Sequence, residues 1–410
     1  GKFTDVSKDS GACPTNYSGR GLAALDFDGD GLLDLVTCEQ YYSSKVKTGP
    51  CLFRNKGNHR FENVAEAAGL PAGYGGLSVA VADFNRDGWP DLFFSSGSGD
   101  HRLYLNDGKG KFRELEGARE WFKWKNLSAD NVPAGVCIAD INRDGLPDVV
   151  IGHHFKSPWS SPASIRVYLN KGNSDGVPTF ADVTEAAGIG PLAMKAPHVE
   201  IQDFDNDGWP DIYVSIVKFR DGKPYPVIYR NTGVSKDGVP QFRDDAWAVN
   251  DFPTQADKAL KRAAPLFEKA LKEKKIIYMA AAPSCDYDRD GKIDLFLANW
   301  WVEDRSLLLK NETTGGNYLD VRVEGKGGLN RMGVGARVDV YAAGKLGEVA
   351  SLLGSREIAI GYGFCSGQEA VAHFGLGKLE KVDIEVALPH GRGKVTRKGV
   401  KTNQALTVTP

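Results

Sequence analysis

Five short segments of this 410-residue chain repeat one spacing of acidic side chains, and that repeat constrains the fold more than any other feature. The segments carry Asp26, Asp28, Asp30, Gly31 and Asp34; Asp83, Asn85, Asp87, Gly88 and Asp91; Asp140, Asn142, Asp144, Gly145 and Asp148; Asp203, Asp205, Asp207, Gly208 and Asp211; and Asp286, Asp288, Asp290, Gly291 and Asp294. All fit D-x-[DN]-x-D-G-x-x-D, and the first Asp recurs at intervals of 57, 57, 63 and 83 residues. Self-similarity at such a period marks a repeat architecture.

Oxygens from the first, third and fifth positions of a tight loop converge on a hard cation, the last Asp closes the shell, and the glycine permits the sharp turn. No His or Cys stands in the loops, and oxygen donors alone suit Ca²⁺; Mg²⁺ fits less well because it resists full dehydration. An EF-hand would need a Glu at loop position 12 and a helix on each side. Here residues 22–25, 79–82 and 91–94 are short apolar runs that read as buried strands. The unit is strand, loop, strand, with up to five Ca²⁺ expected; the alternative is a set of Asx-rich turns that hold no metal.

A second signature follows each loop. Asn55, Asn106, Asn170 and Asn231 each precede a glycine by two residues, and Asn311 carries a degraded copy. This reads as a third strand ending in a turn, with a fourth strand marked by Phe61, Phe112, Phe180 and Phe242. Four strands per repeat of about 60 residues is the arithmetic of a β-propeller blade. Residues 3–6 repeat the fourth-strand signature without a preceding blade, so they are expected to complete the last blade and stitch the ring. Five blades are visible; recruitment of C-terminal strands into more stays open.

On these residues the loops resemble the FG-GAP or VCBS repeats of integrin α-type propellers. From about residue 317 to 408 the chain resembles the ASPIC/UnbV domain, through Gly333, Gly335, Gly361, Tyr362, Ser366 with Gln368, His373, Phe374, Gly375, Gly377, Pro389 with Gly391, and Asn403 with Gln404. The two in this order are similar to the cartilage acidic protein family and its bacterial relatives. Two positions depart: Gly367 interrupts the usual Ser-Gln pair, and Leu388 stands where that family tends to have Trp. The resemblance implies an all-β protein placed outside the cytoplasm. Its integrin α-like calcium-binding propeller spans 1–312 with a helical insertion at about 254–275, and a small β-sandwich-like domain spans 313–410.

Strand parity puts the acidic loops on one face of a propeller and the other long connections on the opposite face. Those connections span 39–50, 113–133, 154–164, 218–226, 244–278 and 300–305. Long loops on a rigid scaffold are where binding and catalysis concentrate. His153, His154 and His198 are candidate catalytic or transition-metal-binding residues there, with His198 expected to open toward this face and the central channel. Glu39, Lys156, Trp159, Lys218, Trp300 and Trp301 are candidate ligand contacts, joined by Arg220, Trp121 and Trp124. The competing expectation is that the histidines bond backbone carbonyls and the tryptophans pack between blades. Residues 254–275 read as a helix, from a Thr254/Asp257 cap and Leu260, Ala264, Phe267 and Leu271 at helical spacing, divided at Pro265. It is either a lid over the channel mouth or a packed ornament on the rim.

A formal charge of -2 argues against a nucleic-acid or anionic-membrane partner, and no apolar run reaches the roughly 18 residues of a membrane span. The chain starts at Gly1 without a signal-like segment, so any secretory signal is expected to be already removed or never present. Six cysteines form no CxxC; either Cys38 and Cys51 close a disulfide or all are buried thiols. Eighteen of the 53 acidic residues stand in the five loops, so with those carboxylates set aside the chain has 35 acidic against 51 basic residues. Filling five sites with divalent cations would move the formal charge from -2 to +8. The leading expectation is an exported, monomeric protein, secreted, periplasmic or at the cell surface, that binds an anionic glycan, a small polar ligand or a protein. The second is an enzyme acting on a carbohydrate or small polar substrate through the histidine-bearing face, with or without an additional transition metal. A third is a purely structural surface protein. No nucleophile elbow, phosphate loop or HExxH is present, so no reaction follows from the sequence.

Overall fold

The computed structural model describes residues 1–15, 17–39, 49–124, 131–155, 162–192, 195–220, 223–247, 249, 276–278, 283–298, 306–361, 364 and 367–410. The helix expected at 254–275, together with Lys156, Trp159, Trp300, Trp301 and the side chain of Arg220, lies outside the described residues.

Five antiparallel sheets follow one another in chain order. Blade 1 is β1 (Gly19–Leu25), β2 (Asp34–Glu39), β3 (Cys51–Asn55) and β4 (Phe61–Asn63). Blade 2 is β5 (Ser78–Ala82), β6 (Asp91–Ser95), β7 (Arg102–Asn106) and β8 (Phe112–Glu114). Blade 3 is β9 (Asn131–Ala139), β10 (Asp148–Phe155), β11 (Arg166–Ser174) and β12 (Val177–Asp182). Blade 4 is β13 (Val199–Gln202), β14 (Asp211–Arg220), β15 (Lys223–Val234) and β16 (Pro240–Ala246), with β17 (Ile276–Tyr278) added to β14. Blade 5 has three strands, β18 (Ser284–Cys285), β19 (Asp294–Leu297) and β20 (Leu307–Leu309). Each acidic loop joins the first and second strands of its blade. Two one-turn helices, Ser7–Ser10 and Ala118–Trp121, are the only α-helices among the described residues. The fold is an all-β, integrin α-like propeller.

The strand sequences suit this packing. β5 and β6 are buried at every position, as strands with a sheet on each face must be. Inner strands are rich in small residues because they crowd the axis. A Cβ on Gly135 of β9 would stand 2.3 Å from the Pro197 carbonyl oxygen, which instead accepts the Gly135 N–H at 2.7 Å. Farther out, the helix Ala118–Trp121 delivers Phe122 between blades 2 and 3, where its ring lies 4.8 Å from both Phe93 and Phe180. Removing such a ring typically costs about 3–5 kcal/mol.

Two sequence expectations are corrected and one open alternative is decided. Residues 3–6 form no strand, and Phe3 is fully exposed. The segment that follows lies along the outer edge of blade 1, where Arg60 donates to the Asp9 carbonyl at 2.5 Å and Gly11 abuts the Phe61 carbonyl, so it cannot reach blade 5. Cys38 and Cys51 are both free, buried thiols. Thr37 pairs directly with Cys51, so Cys38, one residue on, projects from the other side of the sheet. Finally, the channel is occupied along blades 1 to 4.

The C-terminal domain enters that channel. It is a sandwich of two sheets. One contains β21 (Asn317–Val323) between β24 (Ala372–Gly377) and β27 (Gln404–Val408). The other contains β22 (Arg337–Ala342), β23 (Leu352–Glu357), β25 (Lys381–Ala387) and β26 (Lys394–Lys401). Leu319, Val321, Val338, Val340, Ile384 and Val386 form its core. Beyond β23 the chain enters the propeller axis. Ile360 and Phe364 bridge Ala24 and Gly21 of β1, Phe364 donates to Ser78 of β5, and Ala359 joins the core of blades 2 to 4. Arg356 anchors the entry on β13, donating to the Ile201 carbonyl at 3.0 Å and the Gln202 side chain at 2.9 Å. Against blades 1 to 3 the voids beside this segment, about 10 and 20 Å³, hold a water at most, whereas on the side of blade 5 a cavity of about 700 Å³ lies between Gln202, Ser284 and Cys285 of the propeller and Gln368, Glu369 and Val371 of the C-terminal domain.

Candidate metal centres and the opposite face

The five acidic loops share one backbone fold, built by their own side chains. In loop 2 the Asp83 carboxylate accepts the N–H groups of Asp87 (3.0 Å) and Gly88 (2.8 Å), Asn85 Oδ1 accepts that of Asp87 (3.2 Å), and Asp87 accepts that of Trp89 (2.9 Å). Loops 3, 4 and 5 repeat the set on Asp140, Asp203 and Asp286. Carboxylates are thereby turned inward. Oxygens of Asp26, Asp28 and Asp34 lie within 4.8 Å of one another, as do those of Asp203, Asp205 and Asp211 and those of Asp286, Asp288 and Asp290. Asn85 and Asn142 replace one carboxylate in loops 2 and 3.

The last Asp of each loop has a second job. Asp91 accepts the N–H of Phe84 through one oxygen (2.9 Å) and that of Asn106 through the other (2.8 Å). Asp34, Asp148, Asp211 and Asp294 do the same with their own loop and their own Asn-turn. The turn asparagine completes the stitch. Asn106, Asn170, Asn231 and Asn311 donate to the carbonyls of Phe27, Phe84, Ile141 and Phe204 in the loop of the preceding blade, at 2.9, 3.1, 2.9 and 2.7 Å. Each acidic loop is therefore a junction between two blades.

Burial makes these carboxylates costly to ionise without a cation. It pushes Asp34 and Asp140 up to about 7 and Asp83 and Asp294 up to about 6, and it raises Asp91, Asp148, Asp203 and Asp211 well above the usual carboxylate range, with neighbouring Asp charges adding to the effect. Inward-facing, desolvated oxygen donors with no nitrogen or sulfur among them fit a hard divalent cation.

The C-terminal domain docks on this face. His390 donates its N–H to the Gly88 carbonyl (2.8 Å), packs its ring 4.5 Å from Trp89, and places Nε2 2.9 Å from the Asp26 carbonyl. Arg392 donates to the Gly29 carbonyl at 2.8 Å. At loop 4, His373 bridges Asp320 and Asn206, each at 2.8 Å. Gly377 donates to the Asn206 carbonyl at 2.9 Å, and a Cβ on Gly375 would strike the Asp203 carboxylate. The Pro389–Gly391 and His373–Gly377 signatures are thus docking motifs for loops 1, 2 and 4. Sequence reading flagged both motifs without a role, and it missed Arg356 and the basic residues before the turn asparagines.

The opposite-face candidates separate into three places. His153 and His198 are fully buried, which corrects the expectation that His198 opens outward. The backbone of His153 exchanges hydrogen bonds with Ala196, two residues before His198, so blades 3 and 4 bring the histidines into one neighbourhood. His198 Nε2 lies 3.7 Å from the buried Glu200, and half-buried His154 lies 3.4 Å from Lys195 Nζ. Trp124 is buried against His153 and Arg166, and Trp121 packs on Phe180. Glu39 belongs to blade 1, where its carboxylate accepts the Gly49 N–H at 3.3 Å. Lys218 pairs with Asp244 at 2.6 Å.

Comparison with known proteins follows this division. An FG-GAP-like repeat family matches residues 41–94 and 83–151, and an ASPIC and UnbV family matches residues 325–410. Cartilage acidic protein 1 of Xenopus tropicalis is 25% identical over 404 residues, covering 95% of this chain and 54% of the relative; the Homo sapiens protein is 25% identical over 393 residues, covering 92% and 51%. Integrin alpha-6 of Gallus gallus is 29% identical over 178 residues, covering 40% of this chain and 15% of the relative. The chain spans about half the length of the cartilage acidic proteins it matches. It combines FG-GAP repeats with an ASPIC/UnbV domain and is homologous to cartilage acidic protein 1 along most of its length.

Proposed function

We propose that this chain is an exported, calcium-loaded propeller that acts as an interaction module. Its metal loops clamp the C-terminal domain on one face, and its opposite face binds an anionic partner such as an acidic glycan. The observation that carries the reading is the fivefold recurrence of inward-facing oxygen donors at the junctions between blades. Two facts support placement outside the cell: its relatives are a cartilage protein and integrins, and loops of this kind work where calcium is in the millimolar range. Among the described residues no helix is long and apolar enough to cross a membrane. Calcium would return the loop carboxylates to their ionised form and leave the remaining surface with a basic excess. With the axis occupied along blades 1 to 4, the rim of the opposite face is the place for a partner.

The test is calcium stoichiometry by equilibrium dialysis, followed by binding to a sulfated and a neutral glycan of equal length. Several calcium ions per chain and salt-sensitive retention on the sulfated glycan are expected. A chain that takes up no calcium at millimolar concentration removes the reading. Equal behaviour on both glycans removes the anionic partner.

A further inference from the structure

The five loops fall into two classes by a rule that links positions 20 or more residues apart. Where the third loop position is Asp, the residue before the turn asparagine is basic: Asp28 with Arg54, Asp205 with Arg230, Asp288 with Lys310. Where it is Asn, that residue is leucine: Asn85 with Leu105, Asn142 with Leu169. Geometry explains the pairing. Arg54 lies 2.6 Å from Asp28, and Arg230 lies 2.6 and 3.1 Å from Asp205 and Asp207. Lys310 pairs with Asp288 and lies 3.2 Å from Asp290. Leu105 and Leu169 are buried in the core instead.

Coverage by the next blade follows the same division. The long hairpins of blades 3 and 4 reach back over loops 2 and 3, where Gly176 and Gly238 carbonyls accept from Asn85 (3.2 Å) and Asn142 (3.3 Å). The same amides donate to Asp87 and Asp144, each at 2.9 Å. Blade 2 has only a short hairpin beside loop 1, blade 5 has three strands beside loop 4, and no sixth acidic loop follows loop 5. Counting the loop carboxylates and the cations within ion-pair distance of them, Arg54, Arg230 and Lys310, every loop presents a formal charge of −3.

We propose that Arg54, Arg230 and Lys310 are tethered counter-cations that set the metal affinity of loops 1, 4 and 5. They cancel the fourth carboxylate, hold the uncovered side of the loop when no metal is bound, and bring all five sites to one charge. This rests on the calcium reading above and adds residues outside the metal-ligand pattern. A unit charge roughly 5–6 Å from a divalent ion in a water-rich setting changes its affinity about tenfold.

The experiment uses the full chain carrying Arg54→Met, Arg230→Met and Lys310→Met together, titrated with calcium against a chromophoric chelator and melted in excess EDTA. Three sites are expected to tighten about tenfold while two stay unchanged, and the melting temperature in EDTA is expected to fall. Opposite signs in the two states separate a counter-cation from an ordinary structural residue, whose loss weakens both. The triple Arg54→Lys, Arg230→Lys and Lys310→Arg keeps the charge and so should not tighten the three sites, which guards against a folding artefact. Unchanged or weakened affinity in the Met variant, with the wild type still binding calcium, overturns this inference alone. No calcium uptake by the wild type overturns it together with the calcium reading.

Discussion

Asn231→Ala tests whether the turn asparagines hold the blades together. The Asn231 side chain is fully buried and makes three hydrogen bonds. It donates to Ile141 of the preceding blade's loop (2.9 Å) and to Pro210 of its own loop (3.1 Å), and it accepts the Gly233 N–H (3.0 Å). Truncation strands two carbonyls and one N–H where water does not reach. At about 1–3 kcal/mol per orphaned buried group, and less for a carbonyl that keeps other partners, the expected loss is about 3–5 kcal/mol. Asn55 is the internal control. Among the described residues its side chain bonds its own Leu33 carbonyl (2.9 Å) and the Gly57 N–H (2.9 Å), with no partner on another blade, and it is half-buried. Water can replace those partners, and Asn55→Ala should cost about 1 kcal/mol. Equilibrium urea unfolding, followed by tryptophan fluorescence with the slope held common, reads the difference. Equal penalties at the two positions, or a loss under 1 kcal/mol at Asn231, would refute the claim that the interblade bond matters.

Chelation should lower the melting temperature by many degrees and added Ca²⁺ should restore it, because ions that bind only the folded state stabilise it by mass action; calorimetry with and without EDTA checks this. Gly375→Ala should undock the C-terminal domain, since its Cβ would strike Asp203, and limited proteolysis should then cut between the two units. Arg356→Met should weaken the plug in the axis by removing three hydrogen bonds, to Ile201, Gln202 and His373, read as faster hydrogen exchange at residues 356–361. Burial holds His101 down at about 4, below its ordinary 6.5, so its stabilisation is complete above pH 6.5 and is lost as pH falls toward 4. By pH 5 that is about 2 kcal/mol, which a His101→Gln variant should not lose between pH 7 and 5 in urea titrations.

What the sequence disclosed was whatever recurs. Asp and Gly at fixed offsets marked the loops, and the Asn-x-Gly turns counted the blades, because each position was sampled five times. The asparagine was readable as a turn residue, since its bond to Gly57 or Gly233 is local. Its bond to the preceding blade exists only once the ring brings Ile141 within reach of Asn231. The plug was hidden for the same reason: residues 356–364 occur once, and their polar partners, Ser78, Ile201 and Gln202, lie more than 150 residues away. Strand parity assigned His153 and His198 to one face. It could not show that β10 runs on to Phe155 and pairs with β9 as far as Asn131, or that both side chains are buried.

The fourth loop position explains why the propeller carries its second domain on the metal face. Arg86, Arg143 and Asn206 all adopt left-handed backbone angles, φ 59, 61 and 54, which disfavour side-chain-bearing residues by roughly 1 kcal/mol or more. Each points its side chain at the next loop: Arg86 donates to the Gly145 carbonyl, Arg143 stacks 4.0 Å over Trp209, and Asn206 donates to the Gly291 carbonyl at 2.9 Å. Loop 1 breaks the series with Gly29, which has no side chain to reach loop 2. A Cβ there would meet Trp89 at 3.2 Å and the His390 ring at 3.5 Å. His390 and Arg392 occupy that place and make the missing bonds, to Gly88 and Gly29. The glycine that relieves backbone strain in loop 1 also opens the slot into which the C-terminal domain inserts. A side chain introduced at position 29 should therefore act first on domain docking, and only through it on the propeller.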